Sequence, residues 1–192
     1  RAYCSIIYPW LKEHFAPRLD HVTEDDFYRM INKSEPSLIR TEADELTYCL
    51  HIMVRYELEK RMFDGSLTAH DLPAEWNRLY KEYLGIDVPD DRQGVLQDSH
   101  WANGNIGYFP SYAIGSAYGA QYLQEMSKDL DVDAVVRSGD LTPINNWLED
   151  RIWKHGCMKD PVALFESVCG KFDPDCYVAY LEKKFTEVYG LS

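Results

Sequence analysis

Apolar residues recur along most of the chain at the three- and four-residue spacing that places them on one face of a helix. The pattern predicts eight helices, over about residues 3–15, 24–31, 41–63, 73–84, 110–130, 142–156, 160–170 and 173–190. The longest of them carries one apolar stripe, which consists of Leu46, Leu50, Val54, Leu58 and Met62. The predicted fold class is therefore mainly α, organised as a single helical region over residues 1–192.

The face of the longest helix opposite to that stripe is polar, and it carries Asp44, Tyr48, His51 and Arg55. Such a face is either solvated or lines something polar, and the residues alone leave both interpretations open.

Local signals mark the ends of several predicted helices. Thr23 followed three positions later by Asp26 resembles a capping box, in which two side chains bond each other's backbone. Gly85 lies directly after a helical segment, where a glycine often ends a helix. The last three helices each begin at a proline that follows a capping residue, in the pairs Thr142-Pro143, Asp160-Pro161 and Asp173-Pro174.

Residues 86–110 lose the helical pattern. The Asn103-Gly104 pair favours a tight turn, so this segment is expected to form at most one short β-hairpin, between 94–101 and 105–109. The segment and its flank also concentrate polar and aromatic side chains, namely Gln97, Asp98, His100, Trp101, Tyr108 and Tyr112. Tyrosine and neutral histidine can donate hydrogen bonds to a developing oxyanion. The same side chains can instead pack in a core or cap a turn, and their types do not distinguish these roles.

Composition mainly excludes classes of function. The chain has 32 acidic and 20 basic side chains and a net charge of −12, which argues against a nucleic-acid binder or a polybasic membrane-surface protein. No run approaches the ~20 apolar residues of a membrane-spanning helix. Five cysteines, with no C-x-x-C pair among them, argue against a zinc ribbon and indicate a reducing, cytoplasmic compartment.

Motifs of metal and nucleotide chemistry are missing from the sequence. None of the six histidines belongs to an HExxH motif, so no metal site is expected within this chain. No P-loop, GxGxxG or GxSxG motif is present either. The chain begins at Arg1 rather than Met and starts directly in a helical pattern, from which we expect a fragment.

Two segments resemble signatures of the carboxypeptidase Taq family of zinc metallocarboxypeptidases. They are SLIRTEADELTY at residues 37–48 and GVLQDSHWANGNIGYFPSYAIG at residues 94–115. The ending YLEKKFTEVYG at 180–190 resembles the C-terminus of that family, so the resemblance covers essentially all 192 residues. The zinc ligands of the family lie in an HExxH helix and a later His-Glu-Ser motif. The resemblance therefore implies that this chain is the C-terminal part of such an enzyme.

In that family a metal-bound water attacks the C-terminal peptide bond of a peptide, with the HExxH glutamate as general base. The resemblance implies that the present chain forms one wall of a helical substrate cleft. By motif position, Tyr112 is the expected oxyanion donor, with His100 beside it and Tyr108 as a further catalytic candidate.

The remaining candidates are expected to bind substrate or to shape its pocket. Gln97, Asp98 and Trp101 would line the pocket or orient the catalytic histidine. A terminal carboxylate needs a cationic partner, for which Arg40 is one candidate and an arginine upstream of this chain is the other. For Arg40, Glu42 and Asp44, substrate contact and structural bracing both stay open.

The resemblance also implies a cofactor and partners. Zinc would be bound upstream of this chain, with cobalt or manganese able to replace it. The substrate would be a peptide, and the full-length protein would be a homodimer. The isolated chain is expected to bind no zinc and to cleave no peptide. The alternative is a non-catalytic helical interaction domain derived from the same fold.

Overall fold

The computed structural model describes residues 1–191, which form helices and turns but no strand. Nine α-helices follow one another: α1 Ala2–His14, α2 Glu24–Ile31, α3 Tyr48–Phe63, α4 Leu72–Leu84, α5 Pro110–Asp129, α6 Val132–Ser138, α7 Thr142–Arg151, α8 Pro161–Cys169 and α9 Asp175–Tyr189. Two short 3₁₀-helices cover Arg40–Glu42 and Trp153–His155. The mainly α fold class is confirmed. None of the helices in the described part of the chain combines the length and the apolar character needed to cross a bilayer.

Several predicted helix starts agree with the structure, but Thr142 is the first residue of α7 and does not cap it, and α9 begins at Asp175 rather than at Pro174. Asp26 donates its backbone N–H to Thr23 Oγ1 at 3.1 Å, and the Thr23 N–H donates to Asp26 Oδ2 at 3.0 Å. This reciprocal pair is the predicted capping box. Asp160 Oδ1 accepts the N–H of Val162 at 2.9 Å at the start of α8. Gly85 ends α4 with φ +73°, a left-handed conformation that glycine adopts without steric cost.

The predicted start of the longest helix at residue 41 is wrong, because α3 begins at Tyr48. The cause is the side chain of Asp44, which accepts the backbone N–H groups of Leu46 at 2.9 Å and Thr47 at 3.0 Å. A side chain that binds nearby N–H groups offers the backbone an alternative to the helix. Arg40–Glu42 forms only a single 3₁₀ turn, and Ala43 is extended.

Two further differences lie in the last third of the chain. Helix α6, Val132–Ser138, was not predicted, and it begins where Asp131 Oδ1 accepts the N–H of Ala134 at 3.0 Å. Helix α7 ends at Arg151 rather than at residue 156, and a 3₁₀ turn over Trp153–His155 follows it. Short helices such as α6 carry too few turns for apolar periodicity to reveal them.

The chain divides into two compact units, one of residues 32–115 and one of residues 1–31 together with the residues from 116 onward. The core of the first unit forms where α3 packs against α4. Its buried side chains are Val54, Leu58, Leu67, Trp76, Leu79, Tyr80 and Leu84. Each large apolar side chain contributes about 1.5–3 kcal/mol when it is fully buried. This core fixes the orientation of α3, whose polar face carries the candidate site.

The second unit has its own buried side chains. Cys4, Tyr28, Phe185 and Val188 pack together where α1, α2 and α9 meet. Elsewhere in the unit Phe165 is fully buried and stacks on Tyr118 with a centroid distance of 3.9 Å. The side chain of Gln121 joins two segments, because it donates to the carbonyl of Lys171 at 3.0 Å and accepts the N–H of Asp173 at 3.0 Å.

Candidate functional site

The segment that precedes α5 is a series of turns rather than the β-hairpin that the sequence allowed. Asn103 donates its N–H to Ser99 O at 3.0 Å, and Asn105 donates to His100 O at 2.8 Å. These bonds close the chain on residues just before the turn, so no ladder forms between 94–101 and 105–109. The result is a compact loop directly in front of α5.

The loop and the first turn of α5 bring the three predicted catalytic side chains together. His100 Nε2 lies 3.1 Å from the hydroxyl oxygen of Tyr112. The ring of Tyr108 stacks on that of His100 at a centroid distance of 6.1 Å and meets that of Tyr112 edge-on at 5.3 Å. Tyr108 is 51% exposed, whereas His100 and Tyr112 are half-buried. The cluster therefore presents one exposed phenol beside a hydrogen-bonded His–Tyr pair.

A buried aromatic ring lies behind this pair. Phe109 is 1% exposed, and its ring centroid lies 4.4 Å from that of His100. The guanidinium of Arg40 lies over the ring of Tyr112 at 5.1 Å and over that of Phe109 at 5.6 Å. Cation–π contacts of this kind strengthen when they are removed from water, as they are here. One face of the Tyr112 ring is therefore in contact with the buried guanidinium of Arg40.

Asp98 joins two buried arginines beneath the cluster. Its Oδ1 accepts Arg40 Nε at 3.1 Å and Nη2 at 2.8 Å, and its Oδ2 accepts Arg55 Nε at 2.6 Å. Arg40 is 6% exposed and Arg55 is fully buried. Arg40 also donates to the hydroxyl of Tyr48 at 3.0 Å. His100 Nδ1 lies 4.0 Å from Asp98 Oδ1, beyond hydrogen-bonding distance.

Gln97 connects the same arginines to the backbone. Its Oε1 accepts the backbone N–H of Arg40 at 2.9 Å and Arg55 Nη2 at 3.0 Å. Its amide nitrogen donates to the carbonyl of Leu38 at 2.9 Å. Both oxygen and nitrogen of this side chain are thus used inside the protein, and Gln97 braces the two signature segments against each other.

The charges of the network shift the pKa of two neighbouring groups. Burial by itself raises the pKa of Asp98, but the bonds from Arg40 and Arg55 outweigh it and hold that pKa below its usual value. Burial, with the positive charges of Arg55 and Arg40, lowers the pKa of His51 from 6.5 to about 4. His51 is therefore neutral at pH 7, and its Nδ1 lies 3.0 Å from the hydroxyl of Tyr80.

Trp101 is bonded to a residue outside the arginine network. Its indole Nε1–H donates to Glu59 Oε1 at 2.7 Å, and its ring meets that of Trp76 edge-on at 6.0 Å. Asp44, for which substrate contact and bracing were both possible, is the carboxylate described above that accepts backbone N–H groups ahead of α3. Its pKa is lowered because the bonds from Glu35, Ser34 and Thr47 outweigh the effect of burial.

The structure adds site residues that the sequence patterns did not single out, namely Tyr48, His51, Arg55, Glu59 and Tyr80. One signal was present, because His51 and Arg55 belong to the polar face of α3, for which a solvated and a lining role were both open. Both are fully buried, so the lining interpretation is correct. Their partners lie 29 and 43 residues further along the chain, which no local pattern indicates.

Metal-ligating side chains do not converge in residues 1–191. No group of three or more His, Cys, Asp or Glu side chains there is arranged to hold a metal ion. In the candidate cluster, His100 Nε2 faces a phenol, and the Asp98 carboxylate is bonded by guanidinium groups. These donors do not fit a metal centre.

Comparison with known proteins places the chain among peptidases. The family model described as "Carboxypeptidase Taq (M32) metallopeptidase" matches residues 1–185. The chain is 43% identical to "Carboxypeptidase 1" of Bacillus subtilis over 184 residues, which is 95% of this chain and 37% of that protein. It is 42% identical over 186 residues to "Thermostable carboxypeptidase 1" of Thermus thermophilus, covering 95% of this chain and 36% of that protein. The chain thus spans little more than a third of the length of these relatives.

Solved structures agree with the sequence matches. The crystal structure of M32 carboxypeptidase from Deinococcus radiodurans R1 superposes with a TM-score of 0.95 at 36% identity, covering 100% of this chain and 39% of that one. Metallocarboxypeptidase 1 of Trypanosoma cruzi gives a TM-score of 0.89 at 36% identity, covering 96% of this chain and 39% of that one. Since both matches cover nearly the whole chain, the similarity extends beyond the two signature segments.

Proposed function

Because the chain belongs to the carboxypeptidase Taq (M32) metallopeptidase family, we propose that it forms one wall of the substrate cleft of a metallocarboxypeptidase. The enzyme would remove C-terminal residues from peptides. The observation that carries the proposal is the convergence of His100, Tyr108 and Tyr112 on one irregular loop and the adjoining helix start. Phenol and imidazole groups held together in this way are suited to stabilise negative charge on a reacting carbonyl oxygen.

Tyr112 is proposed as the group that donates a hydrogen bond to the developing oxyanion. When His100 carries its proton on Nε2, it donates to the Tyr112 oxygen 3.1 Å away and so holds that phenol in position. Tyr108, which is half exposed beside them, is proposed to contact the substrate. The Arg40 contact over the Tyr112 ring limits the movement of that phenol.

The contacts of the predicted substrate-binding residues Gln97, Asp98 and Trp101 support a structural role, in which they hold the loop in front of α5. Gln97 Oε1 and the Asp98 carboxylate are bonded to Arg40 and Arg55, and the indole N–H of Trp101 is bonded to Glu59. We therefore assign them to holding the catalytic loop rather than to direct substrate contact. Recognition of the substrate's terminal carboxylate by Arg40 stays a prediction, as does recognition by an arginine outside this chain.

The family is one of metallopeptidases, which implies a metal ion. Since the side chains of residues 1–191 do not form a site for it, we propose that its ligands lie outside this chain, and no step here is assigned to the metal. Zinc as the native metal, its replacement by cobalt or manganese, a homodimeric state and a cytoplasmic location stay predictions of the resemblance.

The proposal is tested with Tyr112→Phe in the enzyme that carries this chain. Loss of one oxyanion donor lowers kcat by about 10²–10³, and KM is expected to change little because the bond forms only in the transition state. Tyr56→Phe is the matched control, since Tyr56 is a 45% exposed tyrosine on α3 in the same unit. Steady-state hydrolysis of a blocked dipeptide gives both constants.

Two results would count against the proposal. An unchanged kcat in folded Tyr112→Phe would remove Tyr112 from the chemistry. Absence of carboxypeptidase activity in the unmodified, metal-supplied protein would contradict the enzymatic function as a whole, and it would favour the non-catalytic interaction domain.

A further inference from the structure

Glu59 is a buried carboxylate that has no part in the chemistry proposed above. It lies on α3 and is only 3% exposed. Its Oε1 accepts two hydrogen bonds, from the indole Nε1–H of Trp101 at 2.7 Å and from the backbone N–H of Gly107 at 3.1 Å. Both donors are neutral and belong to the loop in front of α5. Burying a carboxylate lowers stability unless the group is hydrogen-bonded, and these two donors supply such bonds to Glu59.

The two donors stand at the two ends of an exposed stretch of chain. Residues 102–107 are all exposed, whereas Trp101 is half-buried. The loop's own backbone bonds involve the N–H groups of Asn103, Gly104 and Asn105, all of which point back to residues 99–101. The N–H of Gly107 instead reaches Glu59. A single oxygen atom on α3 thus ties the beginning of the exposed stretch to its end.

The tied residues are the immediate neighbours of two catalytic candidates. His100 precedes Trp101, and Tyr108 follows Gly107. Gly107 has φ +77°, a region in which glycine has wide conformational freedom, so a bond to its N–H selects one conformation of the loop. Movement of either tied residue therefore changes the backbone torsions that direct the His100 and Tyr108 side chains.

We propose that Glu59 is a positioning residue for the peptidase reaction: by holding Trp101 and Gly107 together it keeps His100 and Tyr108 in place beside Tyr112. This role rests on the proposed function, because it concerns the same cluster. It requires the acceptor oxygen of Glu59 above all, and the negative charge strengthens both bonds.

The experiment compares three variants of the full-length enzyme: Glu59→Ala removes the acceptor, Glu59→Gln keeps an acceptor oxygen without the charge, and Glu57→Ala is the control. Glu57 lies on the same helix, 38% exposed at its side chain, and its ion pair with Lys60 is at 3.6 Å. Two quantities are measured, namely kcat and KM, and the hydrogen-exchange rate of the Trp101 indole N–H by NMR with ¹⁵N-tryptophan labelling.

Glu59→Ala is expected to lower kcat by about 10²-fold, the cost of misplacing a catalytic group by about 1 Å, with a smaller change in KM. It should also speed exchange at Trp101 by at least about tenfold, because the protecting bond is lost. Glu59→Gln should recover most of the lost kcat and exchange at an intermediate rate. Glu57→Ala should match the unmodified enzyme in both measurements.

The outcomes separate this proposal from the function on which it rests. An active enzyme in which folded Glu59→Ala keeps full kcat overturns the role of Glu59 alone. Unprotected exchange at Trp101 in the unmodified protein overturns it as well, whatever the activity. If Glu59→Ala does not fold, Glu59→Gln decides: lost protection of the Trp101 indole N–H together with an unchanged kcat overturns the proposal, because the bond would then not position the catalytic side chains. An inactive unmodified protein overturns the proposed function itself.

Discussion

Asp98 bonds both buried arginines of the site, and replacing it by Asn removes that carboxylate. The carboxylate receives two bonds from Arg40, at 3.1 and 2.8 Å, and a 2.6 Å bond from Arg55 Nε. Arg40 is 6% exposed and Arg55 is 0% exposed, so water cannot solvate the guanidinium groups once the carboxylate charge is lost. Asparagine has the same size as aspartate and keeps one oxygen, which makes the substitution a change of charge rather than of packing.

The size of the effect follows from this burial. Removing one partner of a buried ion pair costs about 3–5 kcal/mol, because it leaves an uncompensated charge. Here two guanidinium groups lose the same partner, so we expect a value near the upper end. With a denaturant dependence of about 2 kcal/mol/M, a loss of about 5 kcal/mol shifts the urea midpoint by about 2.5 M.

The matched control is Asp87→Asn. Asp87 pairs with Lys81 at 2.8 Å, but the two side chains are 84% and 57% exposed. An exposed pair is worth about 0–1 kcal/mol, so the control should shift the midpoint very little. Urea denaturation of the unmodified chain and both variants, followed by far-UV circular dichroism, gives the comparison. If Asp98→Asn lost less than about 1 kcal/mol, as the exposed pair is expected to do, the network would contribute little to stability, and the reasoning would be refuted.

The pH dependence supplies a second measurement on the same variant. The pKa of Asp98 is lowered in the folded protein, because the bonds from Arg40 and Arg55 outweigh the effect of burial. Its contribution is therefore complete above the unfolded pKa of about 3.9 and is lost as the pH falls towards the folded value. Asp98→Asn should lack this part of the acid destabilisation. An equal loss of stability in acid for variant and unmodified chain would contradict the assignment.

Two other predictions concern buried groups. His51 has a folded pKa of about 4 against an ordinary 6.5, since burial and the charges of Arg55 and Arg40 disfavour its protonation. The unfolded chain binds a proton between those values that the folded chain does not, so the unfolding free energy should fall by about 3 kcal/mol from pH 7 to pH 4 through this residue. When the unfolding free energy is measured by urea titration at several pH values, it should depend less steeply on pH in His51→Gln than in the unmodified chain. An equally steep pH dependence in the two proteins would contradict the prediction. In the other unit Phe165 is fully buried, so Phe165→Ala should cost about 3–5 kcal/mol by calorimetry, more than Phe165→Leu, and equal costs would argue against tight packing there.

Much of the secondary structure could be predicted from the sequence because the deciding interactions are local. The capping box of Thr23 and Asp26 and the cap of Asp160 on Val162 join residues two or three positions apart. The start of α3 was misplaced although its cause is also local. Acidic residues are favourable in a first helical turn, but Asp44 binds the backbone ahead of the helix instead.

The candidate site was predicted in part. The resemblance of residues 37–48 and 94–115 to family signatures indicated His100, Tyr108 and Tyr112, which the structure brings together. Residue type and spacing did not indicate which residues hold these side chains in place. The supporting residues bond partners that lie far away along the chain. Trp101 bonds Glu59 across 42 positions, and Asp98 bonds Arg40 across 58.

The sequence by itself determined most of the helical segments, how several of them begin, and which family they belong to, since periodicity, caps and motifs act within a few residues. Only the tertiary structure decided that the polar face of α3 is buried, with His51 and Arg55 fully enclosed. It also decided that residues 99–105 close on themselves as turns and not as a hairpin. The physical reason is that a buried charge takes whichever partner the packing of helices brings within about 3 Å, and distance along the chain does not determine that partner.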